Sequence, residues 1–435
     1  MHHRSKGEVL SPATWKTRLA AVGLATVVAS SAVAAGSAGV ASAASQIPAS
    51  AMSDHTGVTS NSVSIGNVST LAVGGLFKGA LVGTEAYAAY VNSTGGINGR
   101  KIKVDSGDDG FSGSGNKQAT QNAINNDFAL VGGFSLQDNF GGALLKAKPG
   151  MPDVTMVLDQ TTAHLPNVYS AVPLDGGWEL GPLYYFKKKF PNAVKSVGTI
   201  VSNVPSAMQD WAGEKYAMEK VGYKVVYDPT IPVTQTDFTA NVIAMKNAGV
   251  KIVFLDQLPQ NYASGVFKAM TQQNFHPQVV LGSANYSREL IPNSGGAAAV
   301  NGSWFDSNTS LFLGEDAAIP AVPLFNKWVQ KVSPGFHPDL FTLYGWLSAQ
   351  LFSTALKNSG KSPSRGSLLQ ALNQITTFSG NNIVTPANPV DKTISNCYLI
   401  GKLVNGIYTR VDDPPLNSST HGYRCDYKYV VPPAS

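Results

Sequence analysis

Residues 62–68 alternate polar and apolar positions about Val63 and Ile65, the period of a half-buried strand. After Ser69-Thr70 the period changes: Phe77, Ala80, Leu81, Thr84, Ala88 and Val91 fall on one face of a helix beginning near Gly75. Asn92-Ser93-Thr94-Gly95-Gly96 breaks that helix, and a strand resumes over 101–105. The result is a β-α-β unit, and the following chain repeats its plan. Strands are predicted at 128–133 and 154–158, with helices at 116–126 and 141–148. The pattern pauses over 171–177 and restarts with a helix at 178–190. Strands at 197–202, 223–227, 250–255 and 278–282 then alternate with helices ending at Val221, spanning 238–247 behind Thr236-Asp237, and spanning 262–274.

Two runs of β-α units predict an α/β protein of two Rossmann-like lobes with parallel sheets. Near 301–310 the chain is expected to cross back, into helices at 322–332, 340–358 and 367–374. Strands at 397–404 and 407–411 flank Asn405-Gly406, the strongest hairpin signal in the chain. The expected organisation is lobe 1 from 61–174 plus 309–384, lobe 2 from 175–308 plus 385–412, and an irregular tail over 413–435. Loops following strand C-termini, at 134–138 and 159–162, are where open parallel sheets place ligands.

The N-terminus adds a compartment. Lys16 and Arg18 precede an apolar run at 19–29, and Ala41-Ser42-Ala43 is an A-x-A site, so 1–43 reads as a signal peptide and 44–60 as a polar linker. No cysteine lies near the cleavage site for lipid attachment, and the expected location is extracytoplasmic, secreted or periplasmic. Export makes a disulfide between Cys397 and Cys425 the default for the two cysteines. Of the net charge of +5, Arg4, Lys6, Lys16 and Arg18 against Glu8 hold +3. The exported part is near neutral, with no basic stripe, which argues against nucleic acid as a partner.

Catalytic constellations are not found. Beyond His2-His3 in the signal peptide the histidines lie singly, with no Cys/His cluster, so no structural metal or cofactor is expected. No G-x-S-x-G elbow is present. Gly360-Lys361-Ser362 imitates the end of a phosphate loop, but position 355 is Ala and a helix precedes it, so it reads as a solvated loop. Gly75, Gly79 and Gly83 are read as close packing of helix on sheet, and Asp108-Asp109 as a loop pair that caps its neighbours.

Ile65-Gly66, Gly95-Gly96-Ile97-Asn98-Gly99-Arg100-Lys101-Ile102, Asp108-Asp109, Val131-Gly132-Gly133, Thr236-Asp237-Phe238 and the late helix with Tyr344 and Ala355-Leu356 carry a resemblance. Over about 61–411 the chain resembles the type I periplasmic-binding-protein family, in its leucine/isoleucine/valine-binding branch of ABC-importer receptors. The resemblance implies two lobes joined by three crossing segments, closing as a monomer on a small molecule and delivering it to an ABC importer permease. It places a ligand carboxylate on hydroxyls and helix N-termini of lobe 1, at Ser135, Gln137, Asp138, Thr161 and Thr162, with Ser69 and Thr70 facing the cleft. From lobe 2 it implies an aromatic ring near Trp211 and an acid near Asn261. Here the sequence departs from the pattern: Asp138 sits where the carboxylate would lie, and Gln260-Asn261 holds no acid, leaving Asp256 as the nearest substitute. An unpaired ammonium in a closed cleft is costly, so the ligand spans branched-chain amino acids and small carboxylates or amides. The alternatives are a ligand-sensing ectodomain signalling to a membrane receptor, and a secreted enzyme using Asp138 and Asp256.

Overall fold

A computed structural model describes residues 47–174 and 176–432. The signal peptide at 1–43, with Ala44–Gln46 of the linker, Asp175 and the last three residues of the tail, lies outside the described residues.

Lys101–Asp108, Ser62–Ser69, Ala129–Val131 and Asp153–Val154 form a four-stranded parallel sheet in that order. Alternation along the second of these strands sends its side chains to two layers. Val63 and Ile65 join the core beneath the helices Lys78–Ser93 and Leu340–Asn358. Val68 packs on the cluster of Ala123, Ile124 and Leu145 from the opposite helices. The expected fourth strand, 154–158, is paired only over Asp153–Val154.

The glycines of the first helix correct one expectation. A Cβ on Gly83 would lie 1.9 Å from the Thr342 carbonyl oxygen, one on Gly79 2.3 Å from Asp339 Oδ1, and one on Gly345 2.0 Å from the Ala80 carbonyl oxygen. They serve a helix-on-helix crossing between Lys78–Ser93 and Leu340–Asn358, because only hydrogen fits between backbones at that separation. Leu340–Asn358 is apolar nearly all round, as a helix buried on every side must be, and Asp339 caps it by accepting from the Thr342 amide at 2.8 Å.

The second sheet runs Ile407–Arg410, Leu399–Val404, Trp304–Ser307, Gln278–Leu281, Ile252–Phe254, Val197–Gly198 and Val225–Tyr227. It is parallel except for the strands Leu399–Val404 and Ile407–Arg410, which add antiparallel at one edge. Asn405 and Gly406 have φ of 52° and 79°, the left-handed pair that a two-residue hairpin turn needs. Trp304–Ser307, read from sequence as a crossing segment, is a strand within the sheet: Asp306 interrupts its apolar pattern because it faces the cavity described below. The chain passes between the sheets three times, after Val172, after Ser307 and before Leu399. This is the type I periplasmic-binding-protein fold.

Two terminal segments are more structured than their composition suggests. Ala51 is buried, and Arg365 donates to Asp54 Oδ2 at 2.9 Å and to the Ile124 carbonyl at 2.7 Å, so residues 47–60 are fastened to the first lobe. In the tail, Cys425 is bonded to Cys397, Tyr423 is buried, and Tyr429–Val430 pairs with Trp178–Glu179. Trp178 and Glu179 are therefore strand, and the helix read as 178–190 covers Leu180–Lys189.

Candidate functional site

A cavity of about 220 Å³ opens between the C-terminal ends of the two sheets. Its first-lobe wall is aromatic. Phe77 precedes the helix Lys78–Ser93, Phe134 follows the third strand, and Phe341 and Tyr344 occupy the first turns of Leu340–Asn358. The Phe77 amide donates to the Thr70 carbonyl and the Thr70 amide to the Phe134 carbonyl, both at 3.1 Å. These bonds tie the two loops together so that the rings converge. Phe77, Phe134 and Phe341 stand 4.6–4.7 Å apart between centroids, and Tyr344 lies 6.3 Å from Phe134 and from Phe341. Edge contacts of this kind hold a rigid apolar surface.

The second-lobe wall is acidic. Asp210 comes from the helix Pro205–Val221, Asp256 from the turn after Ile252–Phe254, and Asp306 from the strand Trp304–Ser307. A Cβ on Gly282 would lie 2.5 Å from Asp256 Cβ, so a glycine there makes room for the carboxylate. Behind the wall Glu214 is fully buried, one turn after Asp210, and accepts from Gln257 Nε2 at 2.7 Å. Glu214 and Asp256 lie against each other, and burial together with this neighbour raises Glu214 well above the carboxylate range.

Burial raises all four carboxyls. Asp256 is pushed up to about 6, held there by hydrogen bonds from Glu214 and backbone amides. Asp210 is pushed up to about 7 by burial and then by the charge of Asp256. Glu214 and Asp306 are driven well above the carboxylate range by burial and by the same neighbour. Among the described residues that line the cavity, none is Lys, Arg or His. Ser206, 6% exposed, lines the same end, and its hydroxyl has no protein partner. Among the described residues no group of His, Cys, Asp and Glu is arranged to hold a metal ion.

Of the ten residues expected to hold ligand, the cavity is lined by Asp256. The others are committed elsewhere. Ser69 donates to Asn67 Oδ1 at 2.7 Å and accepts from the Phe134 amide at 3.1 Å. Thr70 is fully buried beneath the loop. The Ser135 hydroxyl donates to Asp109 and accepts from the Gln137 amide at 2.9 Å. Asp138 accepts from the Leu158 and Asp159 amides at 2.7 and 3.2 Å, joining the two expected ligand loops to each other, and burial pushes it up to about 6. Thr162 donates to Asp159 Oδ2 at 2.7 Å, while Thr161 and Asn261 are exposed. Trp211 packs in the second core and donates to Asp228 at 3.2 Å. Ser69, Ser135 and Thr162 thus spend their hydroxyls on their own loops, and the first-lobe wall of the cavity is made of rings.

Two cavity residues lie on signals in the sequence: Phe77 falls on the apolar face of the first helix, and Phe134 opens the loop at 134–138 where open sheets place ligands. Asp210 and Ser206 carried no signal, because a polar residue on a surface helix is ordinary.

Residues 62–406 match a family model described as periplasmic binding protein. No curated protein matches the chain. Among solved structures, a fatty acid ABC transporter substrate-binding protein from Thermomonospora curvata is similar at 17% identity and a TM-score of 0.69, covering 83% of this chain and 94% of that one. A branched-chain amino acid transporter substrate binding protein from Streptococcus pneumoniae, in complex with isoleucine, is 18% identical with a TM-score of 0.65, covering 81% and 99%. An ABC transporter solute binding protein from R. palustris, in complex with benzoate, is 17% identical with a TM-score of 0.66, covering 81% and 96%.

Proposed function

The chain belongs to the periplasmic binding protein family, and from that premise we propose that it captures a small solute in the cavity between its sheets and delivers it to the permease of an ABC importer. The observation that supports this most is the cavity itself: aromatic rings from one lobe face carboxylates from the other, so a solute touching both walls binds the closed arrangement better than an open one. Ligand then shifts the population toward closure, which is the signal a permease reads. Binding without turnover fits membership of a family of binding proteins. Both walls come from one chain, which supports a monomer as the working unit. The location is extracytoplasmic, in keeping with the Cys397–Cys425 disulfide.

The test is a thermal-shift and small-angle-scattering screen of the exported chain against amino acids, amides, carboxylates and amines. A solute at a hundredfold excess over its Kd adds about 2.7 kcal/mol to stability and shrinks the radius of gyration. Phe341→Ala removes the shift while the unliganded chain stays folded. If no small solute shifts melting or compacts the chain, the reading fails. Deleting the gene and measuring uptake of the solute found then tests delivery.

A further inference from the structure

The two walls of the cavity ask for different halves of one molecule. One is a rigid ring cluster with no hydrogen-bonding site beyond the Tyr344 hydroxyl. The other gathers Asp210, Asp256 and Asp306, with Glu179 also on the lining and near Asp306, around an end with no basic side chain, and the hydroxyl of Ser206 is buried there without a protein partner. Asp256 Oδ1 likewise meets no protein donor other than the Glu214 carboxyl. A buried polar group without a partner is costly, and a ligand that donates hydrogen bonds at this end removes that cost. From this juxtaposition we infer that the solute is an organic amine cation with an apolar body and no carboxylate, its nitrogen at Asp210, Asp256 and Ser206 and its body on Phe77, Phe134 and Phe341. The inference rests on the solute-binding reading and gives that solute its chemical class.

Three considerations support the class. A carboxylate at the acidic end would meet like charge, and among the rings it would find the Tyr344 hydroxyl as its one donor and no cation to pair with. An α-amino acid brings both groups and has a place for one of them. A primary ammonium has three N–H donors, which matches two carboxylates and a hydroxyl. Size agrees: an apolar cavity of about 150 Å³ accepts benzene, and the 220 Å³ here leaves room for a short aminoalkyl arm beyond a ring. The ring faces also favour a cation nearby.

The experiment compares phenethylamine, phenethyl alcohol, 3-phenylpropionate and phenylalanine by calorimetry on the exported chain. These share a ring and differ in the polar end. The amine is expected to bind at least tenfold more tightly than the alcohol, and the carboxylate and the amino acid not measurably. Asp256→Asn and, separately, Asp210→Asn are each expected to weaken the amine at least tenfold and leave the alcohol within about twofold. Two variants guard against one failing to fold, which melting reports. Binding of 3-phenylpropionate or phenylalanine as tight as the amine overturns the inference, as does an amine affinity unchanged in both variants. If none of the four binds while a solute of the screen other than an amine does, the amine class is wrong and the solute-binding reading stands; binding of another carboxylate-free amine upholds the class. If no solute of any class binds, both fall.

Discussion

Asp210→Asn is the sharpest test of the electrostatics at the acidic wall. The carboxyl faces Asp256, Glu214 behind it, the Gln257 amide and the Tyr344 ring. Burial lifts it from its ordinary 3.8 to about 7. A carboxyl raised in this way favours the native state while protonated, and that advantage is lost as pH rises through the folded value. Relative to the unfolded chain this carboxyl costs the native state about 4 kcal/mol at pH 8, where it is ionised, and about 1.5 kcal/mol at pH 5, where the native group stays protonated while the unfolded one ionises. Asparagine keeps an oxygen to accept from Gln257 and never ionises. The variant should therefore gain about 2–3 kcal/mol relative to wild type between pH 5 and pH 8. For a chain of this length that is about 3 °C in Tm. The assay is the melting of wild type and variant without ligand across that range in one buffer series. A Tm difference that is the same at pH 5 and pH 8, or one that turns against the variant as pH rises, would refute the buried-charge argument.

Other consequences follow from the same structure. Amine affinity should rise between pH 5.5 and 8 as Asp256 and Asp210 ionise, which calorimetry across that range reads directly. Gly83→Ala places a methyl 1.9 Å from a backbone oxygen and should cost at least about 2–3 kcal/mol in urea unfolding, since neither helix backbone can yield cheaply. Arg365→Met leaves the Ile124 and Asp127 carbonyls and Asp54 without their donor and should cost about 3 kcal/mol in the same assay. Paired Cys397→Ser and Cys425→Ser substitutions should cost about 2–4 kcal/mol, with hydrogen exchange rising first around the Tyr398–Arg424 bridge. Thr161→Ala, on an exposed position away from the cavity, should leave solute binding unchanged in a thermal-shift titration.

The fold was legible because its signals are local. The alternation about Val63 and Ile65, the breaker at 92–96 and the Asn405-Gly406 turn each act within a few residues, and each appears in the structure. The capping role of Asp108 also reads locally, as its Oδ1 accepts from the Leu71 and Gly110 amides at 3.0 and 2.9 Å. The site was poorly legible because it is assembled from loops far apart in sequence. Nothing near Ser135 says that Asp109, 26 positions earlier, takes its hydroxyl. Nothing near Asp256 says that Glu214 lies against it. The same holds for Gly79 and Gly83: spacing shows that something approaches closely, and only the tertiary structure shows that it is the helix Leu340–Asn358.

The pairing of Tyr429–Val430 with Trp178–Glu179 has a practical side. Trp178 and Glu179 border the cavity, so the last described strand acts as a buttress behind a piece of the solute's container. Anything that tugs on this end, such as a C-terminal purification tag, an immobilisation tether or expression under reducing conditions that leave Cys425 unbonded, would loosen that buttress. Affinities should accordingly be measured on oxidised protein captured through its N-terminal side, and a tether at the C-terminal end would make the chain report mechanical load as a change in solute affinity.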